Sequence, residues 1–240
     1  MVKFLEDIQI YNELNPKIWD KNNKLYPQVR AKINEIVDAF TDYVEIPLKI
    51  VDVHILGSNA SYNYTDNSDL DVHIITNFDM IKPDCSEILQ AYYNTERASF
   101  NNTYDIKIKG IDVEIYVEDI KANTVSNGIY SLYSDKWIKF PKKIQPVNIN
   151  LEPELSKVRA YVLNAINSLQ LGLVEDTINS LYLIRKNSLA TDGEYGKGNL
   201  IFKDIRNSGL LDKLKDARAK LMSTDLSLEK VLKGMEDTDE

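Results

Sequence analysis

The chain contains Leu56-Gly57-Ser58 and, after a polar and aromatic spacer, Ser68-Asp69-Leu70-Asp71-Val72. Side chains alternate between the two faces of a strand, so the two aspartates lie on one face while the apolar residues beside them face a core. Carboxylates in this arrangement form a cradle for a divalent metal ion. Because Gly57 has no Cβ, a phosphate group can approach the main-chain amides that follow the preceding strand.

This layout resembles the signature of the polymerase-β-like nucleotidyltransferase superfamily, and the spacer length fits it. The superfamily includes poly(A) and CCA-adding polymerases, antibiotic nucleotidyltransferases, cyclic-dinucleotide synthases and nucleotidyltransferase toxins. The resemblance implies that Asp69 and Asp71 are catalytic metal ligands. It also implies that Gly57 and Ser58 bind the β- and γ-phosphates of a nucleotide and that Ser68 adds a hydrogen bond. The alternatives are a solvated strand face for the aspartates and a turn-forming role for Ser68.

A superfamily site of this kind needs a third carboxylate from a separate strand. Apolar residues alternate with polar ones from Ile111 to Val117, so the pattern predicts a strand after a turn at Gly110, in a hairpin that starts near residue 104. Asp112 and Glu114 share its polar face. The run Gly110-x-x-Val113-Glu114-Ile115 resembles the third motif of the family, which favours Glu114 as the third catalytic residue and metal ligand, with Asp112 as the alternative.

Composition limits the other classes of protein. The 240 residues contain no apolar run long enough to span a bilayer, and the first residues lack a secretory signal, so we expect a cytoplasmic protein without a membrane partner. Cys85 is the only cysteine, which excludes an intramolecular disulfide and gives no indication of a disulfide-linked partner. One cysteine and two histidines disfavour a zinc site, so the expected cofactor is Mg²⁺ as two ions, with Mn²⁺ as the alternative.

The formal charge of −8 disfavours nonspecific nucleic-acid binding, which needs an excess of Lys and Arg. A local basic track runs from Lys136 to Lys143, where cations alternate with aromatic residues. Trp137 either stacks on an RNA base or anchors the loop, and the proline at position 141 favours anchoring. His54 and His73 are candidates for the edge of the cleft, although a plain strand-surface role is the commoner one. Tyr62 and Tyr64 either stack on a base or, equally well, cover the edge of the sheet.

Residue spacing predicts an α+β fold. Apolar residues at helical spacing predict a helix over 26–43, and strands are predicted at 49–56, 70–75 and 128–133. A helix at 84–100 and the hairpin at 104–117 complete a small mixed β-sheet with helices on one face and acids on the other. We therefore assign residues 1–146 to a catalytic domain with the nucleotidyltransferase fold that the resemblance implies.

A polar stretch, Pro146-Val147-Asn148-Ile149-Asn150, is typical of a linker. Beyond it, residues 147–240 show helical spacing and predict a C-terminal α-helical bundle, with helices at 152–171, 174–189, 199–207, 210–221 and 226–235. In the superfamily such a domain often closes the nucleotide cleft, and the resemblance implies the same role for residues 147–240. We expect a glycine-rich loop over 185–199, which either contacts a triphosphate or is an ordinary connection, and an acidic frayed tail at 236–240.

The resemblance implies a Mg²⁺-dependent nucleotidyltransferase that moves a nucleoside monophosphate from an NTP such as ATP to an acceptor hydroxyl and releases pyrophosphate. The acceptor is RNA, for example a tRNA 3′ end, a protein or a small molecule. Residues 199–206 and 128–133, with Trp137, also resemble bacteriophage-type nucleotidyltransferases whose substrate is unsettled. The alternatives are a nucleotide second-messenger synthase and a catalytically inactive nucleotide-binding module.

Overall fold

The computed structural model describes residues 11–143 and 151–227. The chain divides into two compact units, Met1–Pro146 and Val147–Glu240. The described part of the first unit combines a six-stranded mixed sheet with helices, and that of the second unit is helical. The predicted class, a mixed α+β sheet followed by C-terminal helices, is confirmed.

The first unit contains six strands and three helices within residues 11–143. The strands are β1 (Ile50–Leu56), β2 (Leu70–Thr76), β3 (Lys107–Ile108), β4 (Ile111–Asp119), β5 (Ile129–Ser131) and β6 (Lys136–Lys139). The helices are α1 (Pro27–Tyr43), α2 (Phe78–Ile81) and α3 (Ser86–Thr103). The sequence pattern did not predict α2 and β6.

The strand order is β3-β4-β2-β1-β5-β6, and only β2 and β4 run parallel. A parallel pair needs a long crossover, which α2 and α3 provide between these two strands. The hairpin between β3 and β4 turns at Lys109 and Gly110, both with positive φ, as the tightest hairpin turns require. The parallel register places Asp71 opposite Glu114 and His73 opposite Tyr116.

One face of the sheet forms the core of the first unit. Val53, Ile55, Leu70, Val72, Ile74 and Ile115 are completely buried there. They belong to one apolar cluster with the buried stripes of α1 and α3, which include Ile33, Phe40, Tyr93 and Phe100. Burying this face leaves the alternate residues of β2 and β4 on the opposite side of the sheet.

Helix α3 also covers the open edge of β4, beyond the short strand β3. The Asn101 side chain accepts a hydrogen bond from Ile115 N and donates one to Ile115 O, at 3.1 and 3.2 Å. Gln90 donates to Val117 O at 3.0 Å. These side chains satisfy backbone groups that an edge strand otherwise exposes, so β4 is fixed in register beside β2.

The second unit contains α4 (Glu152–Asn167), α5 (Leu171–Thr191), α6 (Lys197–Asn207) and α7 (Leu210–Leu226) within residues 151–227. A half-buried ion pair joins α4 to α6, with Arg159 donating to both carboxylate oxygens of Asp204 at 2.6 to 2.9 Å. The predicted linker at 146–150, the tail and residues 228–235 of the last predicted helix lie outside the described residues. None of the described helices is long and apolar enough to cross a bilayer.

The prediction of a loop over 185–199 is wrong, because α5 continues to Thr191 and α6 begins at Lys197. Two of the three glycines there allow close helix packing. A Cβ at Gly196 would lie 2.2 Å from Ser188 Oγ, and one at Gly198 would lie 2.8 Å from Ile184 Cγ2. The frequent glycines in this segment are typical of a flexible loop, but Gly196 and Gly198 allow α6 to lie close to α5.

Candidate functional site

The side of the sheet opposite the core is its polar face, which we define by Asp71 and His73 on β2 and by Glu114, Tyr116 and Glu118 on β4. The candidate acids lie at one end of this polar face. Register places Asp71 directly opposite Glu114 on the parallel neighbour, a strand spacing of about 4.8 Å. Asp69 immediately precedes β2 and alternates onto the same side. All three predicted site acids are half-buried. The fold therefore brings the backbone positions of Asp69, Asp71 and Glu114 close together.

The Gly57 turn lies against the Asp71 carboxylate. Gly57 adopts φ +74°, and a Cβ at this position would lie 1.8 Å from Asp71 Oδ2. A short 3₁₀ turn, Ser58–Ala60, follows directly, and Ser58 is half-buried. The two motifs that the sequence separates by a spacer thus meet in the fold, and glycine is required where they touch.

Glu114 is engaged by a tyrosine. The Tyr116 hydroxyl donates a hydrogen bond to Glu114 Oε2, and the Tyr116 ring stacks on His73 with centroids 4.5 Å apart. The Arg97 guanidinium lies 4.4 Å from the centre of the same ring. Burial, the charge of Asp71, and the hydrogen bond to and charge of Glu114 raise the pKa of Tyr116 far above its ordinary value. Tyr116 therefore stays protonated and remains a donor to Glu114.

The carboxylates have the right chemistry for Mg²⁺, which prefers oxygen ligands. Within residues 11–143 and 151–227, however, no three Asp, Glu, His or Cys side chains are grouped so that they could hold a metal ion. The backbone places Asp69, Asp71 and Glu114 side by side, but their side chains do not form a preformed metal centre. The expectation of two Mg²⁺ ions, or of Mn²⁺, stays a prediction.

The two candidates for the third acid have different surroundings. Asp112 is exposed, lies opposite Lys107 on β3 and forms an ion pair with the Lys107 ammonium. Glu114 is half-buried and lies opposite Asp71 on β2. The geometry thus favours Glu114 over Asp112 as the partner of Asp71.

Ser68 is held in the turn that precedes β2. Its side chain is buried, and its hydroxyl oxygen accepts a hydrogen bond from Thr65 N at 2.9 Å and lies 3.2 Å from Thr65 Oγ1. This arrangement is that of a turn-forming serine. A direct contact between Ser68 and a nucleotide stays a prediction.

Sequence reasoning missed Asn59, which is completely buried inside the turn after Gly57. Its side-chain amide donates to Ser68 O at 2.9 Å and to Asp69 O at 2.8 Å. It thereby joins the Gly57 turn to the residues that start β2. Its position directly after Gly57-Ser58 is the only signal in the sequence, and that signal does not separate Asn59 from an ordinary turn asparagine.

The histidines are paired with carboxylates. His73 is 8% exposed, and its Nδ1 lies 2.9 Å from Glu118 Oε1. His54 lies opposite His73 on β1, with its Nε2 3.3 Å from Asp52 Oδ2. Burial lowers the pKa of His54, although the charge of Asp52 and the hydrogen bond to it act in the opposite direction. Both imidazoles thus lie beside carboxylates on the polar face, His73 buried and His54 half-buried.

The aromatic candidates pack inside the first unit. Tyr62 and Tyr64 are buried, and Tyr64 stacks on Tyr11 with centroids 4.1 Å apart. Burial comes first among the effects that raise the pKa of Tyr64, to about 12. Trp137 packs on Trp19 at 4.6 Å and donates its indole hydrogen to Asn23 O at 2.8 Å. The anchoring interpretation of Trp137 therefore agrees with the structure.

Comparison of the chain with models of protein families, with curated proteins and with solved structures gave no significant match in any of the three.

Proposed function

We propose that the chain is a metal-dependent nucleotidyltransferase that transfers a nucleoside monophosphate from an NTP to an acceptor hydroxyl. The observation that carries the proposal is the position of Asp71. Its carboxylate lies against the backbone of Gly57, and its register partner on the parallel strand is Glu114. A glycine turn with a hydroxyl residue next to two carboxylates is a pattern suited to phosphate chemistry.

The position of Asp71 also supports a requirement for a cation. Phosphate oxygens at the amides of the Gly57 turn would lie close to the Asp71 carboxylate, and like charges at such distances repel strongly in a partly buried site. A bound Mg²⁺ held by Asp69, Asp71 and Glu114 would neutralise this charge and lower the pKa of the acceptor hydroxyl. Because these side chains do not form a preformed metal centre, the proposal requires them to reorient when the metal and nucleotide bind.

The reaction balances with the residues present. The acceptor oxygen forms a bond to the α-phosphorus while the bond from this phosphorus to the α–β bridging oxygen breaks, and pyrophosphate leaves with the electron pair. Glu114 is the residue that we assign to accept the proton of the acceptor hydroxyl. The backbone amides at Gly57 and Ser58, with the Ser58 hydroxyl, hold the leaving phosphates.

The net charge of the chain limits which class of acceptor it binds. The chain carries a formal charge of −8, so a long nucleic-acid track without sequence preference is disfavoured. Trp137 is packed and hydrogen-bonded, which removes it as a free platform for a base. We therefore propose a compact acceptor, either a small molecule or a single RNA terminus such as a tRNA 3′ end.

A specific observation favours a second candidate, a nucleotide-binding module without catalysis. The Glu114 carboxylate is engaged by Tyr116, and the described residues contain no three-ligand metal group. A module of this kind would bind NTP through the Gly57 turn but would release no pyrophosphate. Second-messenger synthesis is a further alternative within the transferase class, in which NTP alone yields product.

The test uses each of the four α-labelled NTPs with Mg²⁺ or Mn²⁺, with and without total RNA. The wild-type chain is compared with a variant that carries both Asp69→Asn and Asp71→Asn. We expect transfer of the label to an acceptor, with loss of unlabelled pyrophosphate, that depends on the metal, on the acceptor and on the two aspartates. Binding without turnover would establish the inactive module, and product from NTP alone would establish a synthase. Equal turnover in the double variant would overturn the proposal.

A further inference from the structure

We infer that Asn59 is a positioning residue that fixes the phosphate-binding turn at Gly57 relative to Asp69 and Asp71. The inference deepens the proposed function and rests on it for the expected effect on nucleotide binding. The structural part, a link between two separate segments of chain, does not depend on any activity. Asn59 itself is completely buried, so we assign it no contact with substrate.

The first part of this link joins the turn to strand β2. Asn59 Nδ2 donates to Ser68 O at 2.9 Å and to Asp69 O at 2.8 Å. Carbonyl oxygens only accept hydrogen bonds, so the amide nitrogen must face them and the orientation of the side chain is unambiguous. Both hydrogens of one amide are thus used on two successive carbonyls at the start of β2.

The second part joins the turn to residues 11–25. Asn15 Nδ2 donates to Asn59 Oδ1 at 2.8 Å, and the Trp19 indole donates to Asn59 O at 2.7 Å. Asn15 and Trp19 are buried, at 5% and 2% exposure. The side-chain oxygen and the backbone carbonyl of Asn59 therefore both have partners, and the turn is held from the side of the N-terminal segment as well as from β2.

This link matters because the proposed site has two halves on different segments. The phosphate-binding amides belong to the turn after β1, whereas the two aspartates belong to the start of β2. Asn59 is the side chain that hydrogen-bonds from the turn to the backbone of Asp69 itself. Ordering two segments on binding weakens affinity, so a buried link that already holds the turn against the aspartates favours nucleotide binding.

The test compares Asn59→Asp with Thr76→Val. The first variant keeps the shape of the side chain but turns an oxygen toward two carbonyl oxygens, while an oxygen that can accept from Asn15 remains. Thr76 is a matched control because it is completely buried at the opposite end of β2, where its hydroxyl donates to Lys49 O at 2.8 Å. Both changes remove a buried donor, so both are expected to lower stability.

Amide hydrogen exchange at residues 57–60 and 69–71 is the direct measurement. We expect exchange about tenfold faster in Asn59→Asp than in Thr76→Val, measured in both segments under native conditions, because the local opening energy falls. The Asn59 variant is also expected to raise KM for the nucleotide about tenfold with a smaller change in kcat, whereas Thr76→Val leaves KM unchanged.

The outcomes separate the two proposals. A wild-type chain that binds no nucleotide contradicts the proposed function, while the exchange comparison still decides the role of Asn59. Equal exchange in the two variants overturns the inference, and so does an unchanged KM in an active Asn59 variant. Should Asn59→Asp not fold, Asn15→Ala removes one of the donors to Asn59 and is judged by the same measurements at residues 57–60.

Discussion

The two faces of the sheet differ in how their side chains are satisfied. On the core face, Leu70, Val72 and Ile74 are completely buried in the same apolar cluster as α1 and α3. On the polar face, the alternate residues of the same strands form pairs of polar groups, such as His73 with Glu118 and Tyr116 with Glu114. The core face contributes stability through the burial of apolar surface. The polar pairs contribute little net stability, because each hydrogen bond within the protein replaces a hydrogen bond to water.

The polar face is itself divided along the strands. Toward the end of β4, Glu118 contacts His73 and accepts a hydrogen bond from Thr124 at 2.6 Å, so this end is closed by its own hydrogen bonds. At the beginning of β2, Asp71 lies against a glycine turn instead. Strand β2 therefore presents a structural network and a candidate site only a few residues apart. Substitutions at the glycine end should therefore change binding and turnover more than stability.

The largest effect is expected from Glu114→Gln, compared with Asp112→Asn. Loss of the proposed proton acceptor and ligand should lower kcat/KM by about 10³-fold, the middle of the range for a positioned acid or base. Asp112 shares the face but is exposed and paired with Lys107, so its variant should keep nearly full activity. Steady-state pyrophosphate release measures both. The reverse ranking would identify Asp112 as the third acid and break the assignment.

A second test compares Gly57→Ala with Gly110→Ala. Both glycines have positive φ, so alanine is strained at each, by about 1–3 kcal/mol at Gly57, whose ψ of −160° places it in a region that only glycine adopts readily. Only at Gly57 does the new Cβ meet the Asp71 carboxylate, since nothing lies within 4 Å of a Cβ at Gly110. We expect NTP affinity to fall by more than about tenfold for Gly57→Ala alone, from a displaced carboxylate. Calorimetric titration and thermal unfolding separate the two contributions, and equal affinities in the two variants would contradict a phosphate-binding role for the turn.

A smaller effect is expected from Tyr116→Phe. The proposed function requires Glu114 to leave the Tyr116 hydroxyl, so removing that hydroxyl should strengthen apparent Mg²⁺ binding in the presence of NTP by about fivefold, the equivalent of about 1 kcal/mol for one hydrogen bond. Tyr93→Phe is the control, because the Tyr93 hydroxyl donates to Ile46 O and its ring is buried with α3 in the core. Weaker metal binding in Tyr116→Phe would instead make Tyr116 a residue that holds Glu114 in its productive position.

Alternation and turn residues explain why much of the first unit was predictable. The strand from Ile111 has apolar residues at every second position and follows a glycine turn. This pattern predicts which residues face the core and that Asp112 and Glu114 lie on the same, polar face. The same alternation predicts that Asp71 on β2 and Asp69, just before it, lie on one side of the sheet. Predicted strand and helix bounds near Ile50, Leu70 and Pro27 lie within a residue or two of those in the structure.

Other features depend on tertiary contacts that a linear pattern does not contain. The contact between Gly57 and Asp71 requires β1 and β2 to pair in a defined register, and the distinction between Asp112 and Glu114 requires knowing which strand lies beside each. Gly196 and Gly198 had the composition of a flexible loop but allow close helix packing. Asn59 is indistinguishable from a turn residue until its partners are known.

The smallest effect is expected in the pH dependence of the free energy of unfolding, through His54, which lies opposite His73 on the sheet. Burial lowers the pKa of His54 in the folded chain below its ordinary value near 6.5, against the opposing influence of Asp52. As the pH falls through about 6.5, the unfolded chain therefore takes up a proton at this position before the folded chain does, so this contribution to stability is complete above that pH and is lost below it.

We expect the free energy of unfolding to fall less steeply between about pH 8 and about pH 5.5 in His54→Gln than in the wild type. Urea unfolding of both proteins at several pH values measures the difference. His73, which lies opposite His54, is retained in both proteins. The wild-type slope minus the variant slope therefore isolates His54 and its coupling to its neighbours. Identical slopes would show that the Asp52 carboxylate compensates for burial and that His54 lies outside the acid-sensitive part of this face.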